Sequence, residues 1–275
     1  MIPGAFEYHR PESVSEAAGL LSQLGDEARV LAGGHSLIPM MKLRLAAPEH
    51  LVDLQDIAEL REISVAGDTV SIGAMATQDA LIRDGALAGA IPLIREAALQ
   101  IADPQVRYVG TVGGNVANGD PGNDMPGLMQ CLGAEFELVG PRGTRTVAAR
   151  DFYESAYVTA RADEEILTRI TIPVPANKGY AYEKQKRKIG DYATAAAAVL
   201  VGDGQASVAM TNLADTPVWS ADAGTALASG DTDGAVAAMM AAIDPGEDMK
   251  GPVAFKQHVA EVILRRAILR AQSRA

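Results

Sequence analysis

The sequence contains a single cysteine, Cys131, among its 275 residues. One thiol cannot form an intrachain disulfide, a CxxC redox pair or the four-thiolate set that holds an iron–sulfur cluster. Cys131 lies in the apolar run Leu-Met-Gln-Cys-Leu at 128–132, which favours a buried, inert thiol over a nucleophile. The sequence therefore provides neither a disulfide framework nor a cluster site.

Several other functional patterns are also missing. GxGxxG, GxxxxGK[ST] and GxSxG do not occur, and His9, His35, His50 and His258 have no HxxxH or HExxH spacing. The formal charge of −11 disfavours nucleic acid as a partner. No run approaches the roughly 20 apolar residues of a membrane span, and residues 1–8 lack the pattern of a signal peptide. We expect a soluble, cytoplasmic protein with no bound metal and no catalytic residue on this chain.

Local patterns predict a mixture of helices and strands. Ser13 and Glu16 form a capping box that opens an amphipathic helix, for which Gly25 is the expected stop. Residues 29–32 form a predicted strand that leads into a Gly-Gly turn. The segment 110–124 is rich in Gly, Asn and Asp, and we expect it to be irregular and functional.

Two predicted hairpins and a proline-rich segment divide the chain. Residues 63–73 and 195–211 each contain two β-prone runs joined by a turn with glycine. Between them, Ile172–Asn177 contains two prolines and is the predicted domain boundary. An alanine-rich helix over about 252–270 ends the chain. The pattern predicts an α+β fold in which a larger mixed domain precedes a small sheet backed by helices.

Two glycine loops share one design. Ala32–Ser36 (Ala-Gly-Gly-His-Ser) follows a predicted strand, and Thr111–Asn115 (Thr-Val-Gly-Gly-Asn) opens the Gly-, Asn- and Asp-rich segment. Consecutive glycines let the backbone approach a ligand closely, and free N–H groups at a helix start suit a pyrophosphate. Ser36 and Thr111 add hydroxyl groups. A single such loop is more commonly a tight turn, whereas for the pair a phosphate-binding site and two tight turns are about equally good explanations.

Two further features leave alternatives open. His35 could be catalytic, could carry a covalently attached flavin, or could support its loop through a hydrogen bond; we favour loop support. The basic stretch Lys184–Lys188 is either a solvated strand face or an anion contact, and composition alone favours the solvated face.

These motifs, together with Tyr182–Arg187 (Tyr-Glu-Lys-Gln-Lys-Arg) and Asp191–Ala193 (Asp-Tyr-Ala), resemble the FAD-binding medium subunits of the carbon monoxide dehydrogenase and xanthine dehydrogenase family. The resemblance covers essentially the whole chain in order and spacing. Val112 replaces the isoleucine common in the second loop. Gly119–Asp124 (Gly-Asp-Pro-Gly-Asn-Asp) resembles the carbon monoxide dehydrogenase-like branch, which favours separate subunits over one fused chain.

The resemblance implies a two-subdomain FAD-binding fold of the vanillyl-alcohol oxidase type, followed by a small C-terminal domain with an antiparallel sheet and helices. The implied limits are 1–175 for the FAD-binding domain, with subdomains of about 1–57 and 58–175, and 176–275 for the C-terminal domain. The implied role is electron transfer in a molybdenum hydroxylase, from [2Fe–2S] clusters through non-covalent FAD to an external acceptor. A large molybdopterin subunit and a small [2Fe–2S] subunit are the implied partners, in a dimer of heterotrimers.

The resemblance also implies residue roles. Leu31 to Ile38 and Thr111 to Asn115 would hold the pyrophosphate and ribityl region, and Asp124 would accept hydrogen bonds from the cofactor. Lys184 would approach the pyrimidine edge of the flavin, where a cation raises the reduction potential. The expected cofactor-binding residues are Leu31, Ala32, Gly33, Gly34, His35, Ser36, Leu37, Ile38, Ile101, Thr111, Val112, Gly113, Gly114, Asn115, Asp124, Leu167, Lys184 and Tyr192, of which Ile101 and Leu167 would supply apolar contacts and Tyr192 a shielding ring.

Two other functions fit parts of the sequence. A free-standing FAD-dependent oxidase, with flavin attached at the Gly-Gly-His loop, shares that loop, but it lacks the Lys184 segment and needs a longer substrate domain. A non-enzymatic adaptor that has lost flavin would not require the intact Gly-Gly pairs. The electron-transfer subunit is the interpretation we favour.

Overall fold

A computed structural model describes residues 2–176 and 179–275, so Met1, Lys178 and the last residue of the predicted boundary segment, Asn177, lie outside the described residues. Within these ranges the strands are β1 Glu7–His9, β2 Ala28–Leu31, β3 His50–Asp53, β4 Ile63–Ala66, β5 Thr69–Gly73, β6 Glu135–Gly140, β7 Gly143–Ala148, β8 Tyr153–Ser155, β9 Val158–Thr159, β10 Ile166–Pro173, β11 Gly179–Gln185, β12 Ala195–Gly202, β13 Gln205–Thr211 and β14 Val218–Trp219. The α-helices of the same ranges are α1 Val14–Leu24, α2 Leu37–Lys42, α3 Gln78–Arg83, α4 Gly85–Ala90, α5 Pro92–Ala98, α6 Pro104–Val109, α7 Val112–Ala117, α8 Asp124–Leu132, α9 Ala221–Ala228, α10 Thr232–Ala242 and α11 Val253–Gln272. The expected α+β class is confirmed.

The N-terminal part of the chain forms a three-stranded parallel sheet in the order β1-β3-β2. Helix α1 begins as predicted, because the Ser13 hydroxyl accepts a hydrogen bond from the Glu16 N–H at 3.2 Å. The Glu16 carboxylate reaches the N–H of Glu12, one residue before the expected partner in a capping box. Gly25 ends the helix at φ 58°, a backbone conformation that glycine adopts without strain. The first glycine loop then leaves β2 at the carboxyl end of this sheet.

The middle of the chain forms a five-stranded antiparallel sheet in the order β4-β5-β10-β6-β7, and α3, α4, α5, α7 and α8 contribute to its core. The expectation that 110–124 is irregular was wrong in part, since α7 occupies Val112–Ala117. The Thr111 hydroxyl caps this helix by accepting from the Gly114 N–H at 3.1 Å. Helix α6 was missed by the sequence analysis; Asp103 caps it and Pro104 starts it. Both helices are only six residues long, too short for a periodic apolar pattern to show.

The last part of the chain forms a four-stranded antiparallel sheet in the order β11-β12-β13-β14. Residues of β12 alternate between two cores: Ala196 and Ala198 face the core of the middle part, while Ala195 and Ala197 face α9 to α11. Small side chains on both faces let helices pack closely. None of the helices in the described chain combines the length and apolar character of a membrane span.

Helix α8 joins the middle part to this last sheet. A Cβ atom on Gly127 would lie 2.3 Å from the Thr211 methyl carbon on β13, so only glycine permits the observed approach. Every residue of α8 is buried, including Asp124 at its first position. The start of α8 is therefore fixed against the strands that carry the basic stretch.

Candidate cofactor-binding site

The two glycine loops are in direct contact. A Cβ atom on Gly33 would lie 2.6 Å from the Val109 carbonyl oxygen and 2.8 Å from Gly110 Cα. A Cβ atom on Gly114 would lie 3.4 Å from Ala32 Cβ. Glycine is required at position 33 because another backbone passes there, which the sequence could not reveal. The loops form one continuous surface at the carboxyl end of the N-terminal sheet.

The first loop offers unused backbone donors. Among the described residues, the N–H groups of Gly33, Gly34, His35 and Ser36 donate no hydrogen bond. Gly34 has φ +72°, and the chain then turns into α2. A run of free N–H groups at such a turn is the arrangement that binds anionic oxygens. The Ser36 hydroxyl makes no capping bond to α2 and is also available.

The N–H groups of Val112 to Asn115 in the second loop already donate hydrogen bonds, whereas free donors were expected in both loops. The N–H groups of Val112 and Gly113 donate to the carbonyl oxygens of Ala76 and Ala74, each at 2.9 Å. Gly114 N–H donates to the Thr111 hydroxyl, and Asn115 N–H donates to the Thr111 carbonyl oxygen. This loop therefore braces the first one and does not present a second row of N–H groups.

Polar atoms beyond the second loop connect it to Asp124. The Asn123 side chain donates to the Asn115 carbonyl oxygen at 2.9 Å, and Asn123 directly precedes Asp124 at the start of α8. The Asn115 side-chain oxygen is buried without a partner among the described residues. A buried acceptor without a donor is costly unless a ligand supplies one, which fits a binding site here.

Lys184 and Asp124 form a buried ion pair. The Lys184 ammonium lies 2.7 Å from Asp124 Oδ2 and 3.3 Å from the Gln100 carbonyl oxygen, and 1% of its side chain is exposed. Tyr182, two positions earlier on β11, donates its hydroxyl to Asp124 Oδ1 at 2.5 Å. Burial, and then the Asp124 charge, raise the Tyr182 pKa well above its usual value. Within the basic stretch, Lys184 is therefore buried against Asp124, whereas Lys188 is exposed to solvent.

Tyr192 covers the segment between the second loop and Asp124. Its ring packs on Gly122, where a Cβ atom would lie 2.9 Å from the ring carbon Cδ1. Burial, followed by the charge of Asp120, raises the Tyr192 pKa to about 12. The residue is still 48% exposed, so one side of the ring remains accessible. The Lys250 ammonium lies 5.7 Å from the ring centroid.

The remaining expected residues differ in exposure. Ile101 and Leu167 are both buried in the main core. Leu167 is adjacent to Thr168, whose carbonyl oxygen accepts from the Ala74 N–H, and Ala74 in turn accepts from Gly113. One layer of backbone therefore separates Leu167 from the second loop. The structure places Leu31 inside and Ile38 at the surface, with Ala32 and Leu37 intermediate.

His35 lies exposed in the first loop. The loop-supporting hydrogen bond that we favoured for this side chain is not formed within the described parts of the chain, since no bond involves its ring. Contacts of the neighbouring glycines, by contrast, hold the loop in place.

Three residues of this region were not predicted: Tyr182, Gln100 and Asn123. A signal existed for Tyr182, because residues two apart in a strand share a face and Lys184 was already a candidate. The Gln100 carbonyl oxygen accepts from both Lys184 and Lys186, and the Gln100 side-chain amide donates to the Tyr182 carbonyl oxygen at 3.1 Å. A main-chain contact of this kind leaves no trace in the sequence.

Fold and site together are those of a protein that binds an anionic dinucleotide cofactor. The family model described as the FAD binding domain in molybdopterin dehydrogenase matches residues 4–175, and the model described as the CO dehydrogenase flavoprotein C-terminal domain matches 180–271. The chain belongs to this family of FAD-binding dehydrogenase subunits and is an oxidoreductase component, as the sequence motifs indicated.

Curated relatives and solved structures agree with this membership. The chain is 58% identical to the carbon monoxide dehydrogenase medium chain of Afipia carboxidovorans and 45% identical to that of Hydrogenophaga pseudoflava, covering 100% of this chain and 99% of each relative. It matches a reconstituted CO dehydrogenase from Oligotropha carboxidovorans with a TM-score of 0.96 and 58% identity, covering 100% of both chains. Quinoline 2-oxidoreductase from Pseudomonas putida 86 matches with a TM-score of 0.94 and 31% identity over 99% of both chains. The expected FAD-binding fold with a C-terminal domain is confirmed.

Proposed function

We propose that the first loop binds the pyrophosphate of FAD non-covalently through its free N–H groups. The single observation that carries this proposal is the set of four unused donors at Gly33 to Ser36, held in place by the second loop. A helix follows directly, so its positive end also faces the anion. The Ser36 hydroxyl is a further donor in the same loop.

The flavin end of the site is assigned to the other expected residues. Lys184 supplies a cation at the pyrimidine edge, and Asp124 orients that cation through the 2.7 Å ion pair. The Tyr192 ring has one accessible side, and that side shields the isoalloxazine ring system of the flavin. The proposed set remains Leu31, Ala32, Gly33, Gly34, His35, Ser36, Leu37, Ile38, Ile101, Thr111, Val112, Gly113, Gly114, Asn115, Asp124, Leu167, Lys184 and Tyr192.

The proposed role is electron transfer within a carbon monoxide dehydrogenase-type molybdenum hydroxylase. The residues named above would hold FAD, which would supply the redox chemistry that links the [2Fe–2S] clusters of a small partner subunit to an external acceptor. A large partner subunit holds molybdopterin and oxidises the substrate. This chain, the large subunit and the small subunit form a heterotrimer, and two heterotrimers form a dimer in the cytoplasm. Support comes from full-length similarity to two medium chains and from the presence of one buried thiol, which provides no cluster ligands here.

Carbon monoxide is the substrate proposed for the assembled enzyme. Relatives with other named activities, such as the caffeine dehydrogenase subunit beta and the nicotine 6-hydroxylase medium subunit, are 32% and 31% identical and cover 79% and 76% of this chain. The two carbon monoxide dehydrogenase medium chains are more similar over the full length.

The proposed domain limits are 1–57 and 58–175 for the subdomains and 176–275 for the C-terminal domain. They are supported by the sheets, because each of the three larger sheets in the described chain takes all its strands from one of these ranges.

Flavin content tests the loop assignment directly. We expect Gly33→Ala to lower the FAD content of the enzyme purified with its partner subunits, because the added methyl group would displace the Val109 and Gly110 backbone. The matched control is Gly19→Ala in α1, where an added Cβ has no neighbour within 4 Å. Equal FAD content in both variants would refute the assignment.

A free-standing oxidase with flavin attached at His35 remains the second candidate, because the His35 ring is exposed and without a hydrogen bond among the described residues. Acid precipitation separates the two functions. Yellow colour in the supernatant supports non-covalent FAD, whereas flavin that stays with the precipitated chain supports the oxidase.

A further inference from the structure

Two imidazoles and a carboxylate meet at the amino-terminal end of the parallel sheet. Glu7 and His9 are two residues apart on β1, so their side chains share one face, and β3 places His50 beside them with Glu7 opposite His50 in the register. Neither the cofactor site nor the family motifs involve these residues. The first glycine loop leaves the opposite, carboxyl end of the same sheet, so the two places are separate.

Distances within this Glu7–His9–His50 cluster suit one metal ion. His9 Nε2 lies 3.1 Å from His50 Nδ1, and His50 Nδ1 lies 3.5 Å from Glu7 Oε2. All three ligand atoms lie within 4.8 Å of one another. In a tetrahedral zinc site with bonds of about 2.0–2.1 Å, neighbouring ligand atoms are about 3.3 Å apart. The two measured pairs are close to an edge of such a tetrahedron, and the third pair of atoms is no more than 4.8 Å apart, so side-chain adjustment alone can complete the set.

A simple hydrogen bond accounts for less of this arrangement. One neutral imidazole can donate to the other, and water can hydrate the exposed Glu7 carboxylate, but this hydrogen bond leaves the approach of Glu7 to His50 unexplained. A cation satisfies the lone pairs of all three groups at once. The two rings are tilted by 41° with centroids 5.2 Å apart, so they are not stacked face to face.

We propose that Glu7, His9 and His50 bind a divalent metal ion of the zinc class, with water in the fourth position. Two imidazoles and one carboxylate are a ligand set that favours Zn²⁺ or Cu²⁺ over Mg²⁺, which prefers oxygen ligands. The His50 side chain is 15% exposed and held by the sheet, whereas Glu7 is 75% exposed and leaves the ion accessible to solvent. The site is independent of FAD.

The test is a Zn²⁺ titration of the FAD-containing enzyme, purified with its partner subunits and dialysed against a chelator, in competition with a chromophoric zinc indicator at pH 7.5. We expect the wild type to bind one more Zn²⁺ per copy of this chain than His9→Gln or His50→Gln. Each substitution should weaken that binding step at least about tenfold. His258→Gln, which changes an exposed histidine on α11, is the matched control and should titrate like the wild type.

Folding and flavin are checked in the same samples. Because the cluster lies at the other end of the sheet, FAD content should be equal in all variants. If a histidine variant fails to fold, Glu7→Gln, which changes an exposed side chain, provides the second test and should also weaken Zn²⁺ binding. Zn²⁺ binding that is the same in wild type and Glu7→Gln, or in wild type and a folded histidine variant, would overturn the proposal, as would equal competition by Mg²⁺.

Discussion

The buried Lys184–Asp124 pair separates a structural role from a flavin-binding role. At 2.7 Å, and with an effective dielectric constant of about 20, the attraction between the two charges is about 6 kcal/mol. Desolvation of both groups offsets much of this attraction, so the net stabilisation is smaller. Removing one partner leaves the other charge buried without compensation. We therefore expect Lys184→Gln and Asp124→Asn each to lower the free energy of unfolding by about 3–5 kcal/mol.

The double variant Lys184→Gln/Asp124→Asn removes both charges and keeps two amide groups that can bond to each other. Tyr182 also keeps an acceptor for its hydroxyl, because asparagine retains one side-chain oxygen. We expect the double variant to be less destabilised than the sum of the single variants by about 2–3 kcal/mol. Urea unfolding, with Lys188→Gln on the exposed part of the basic stretch as the control, measures this difference.

Flavin measurements on the same double variant decide its role. If Lys184 acts only in folding, recovery of stability restores FAD affinity and the reduction potential together. If the pair contacts the flavin, stability recovers while FAD affinity stays low, and the reduction potential falls because the Lys184 cation is missing. Full recovery of both flavin properties in the double variant would refute the assignment of Lys184 to the cofactor site.

Further variants test the loops and the core. Gly33→Ala should introduce roughly 1–3 kcal/mol of strain and weaken FAD binding about five- to hundredfold in equilibrium dialysis of the assembled enzyme, with Gly19→Ala unchanged. Gly127→Ala should cost about 1–3 kcal/mol in urea unfolding, and the second change Thr211→Ser, which deletes the clashing methyl group, should restore stability if the contact is correctly described. Burial raises the pKa of Cys131 to about 12, so iodoacetamide at pH 8 should label it only in urea, and rapid labelling of the native protein would contradict its burial. The stabilising effect of Cys131 is the free energy of unfolding of the wild type minus that of Cys131→Ala. This difference is fully present below the ordinary thiol pKa of 9.0 and should be lost as pH rises towards 12.

Features set by neighbouring residues in the sequence were predicted well. The Ser13 cap, the Gly25 stop and both hairpins depend on contacts within a few residues, and all are present. Helices α6 and α7 were missed because short helices show no periodicity, and glycines at 113 and 114 disfavour a helix unless tertiary contacts hold it. Those contacts come from Ala74 and Ala76, almost 40 residues earlier in the chain.

The site shows the same division between local and distant information. The glycine pairs correctly predicted that the backbone of each loop is closely approached by other atoms. Which loop keeps free donors depends on distant carbonyl groups, so the free N–H groups expected in both loops are found only in the first. Likewise, the family resemblance implied separate roles for Lys184 and Asp124, but their 60-residue separation hid the fact that they bind each other.

Electron flow in the assembled enzyme tests the central claim most directly. The measurement is rapid mixing of carbon monoxide with wild-type enzyme and with Gly33→Ala enzyme from which the weakly bound FAD has been removed by dialysis, followed at the iron–sulfur and flavin absorbance bands in the presence of an artificial acceptor. We predict that the clusters are reduced in both enzymes, and that rapid transfer to the acceptor needs FAD. Acceptor reduction at the wild-type rate by the FAD-free enzyme would contradict the account.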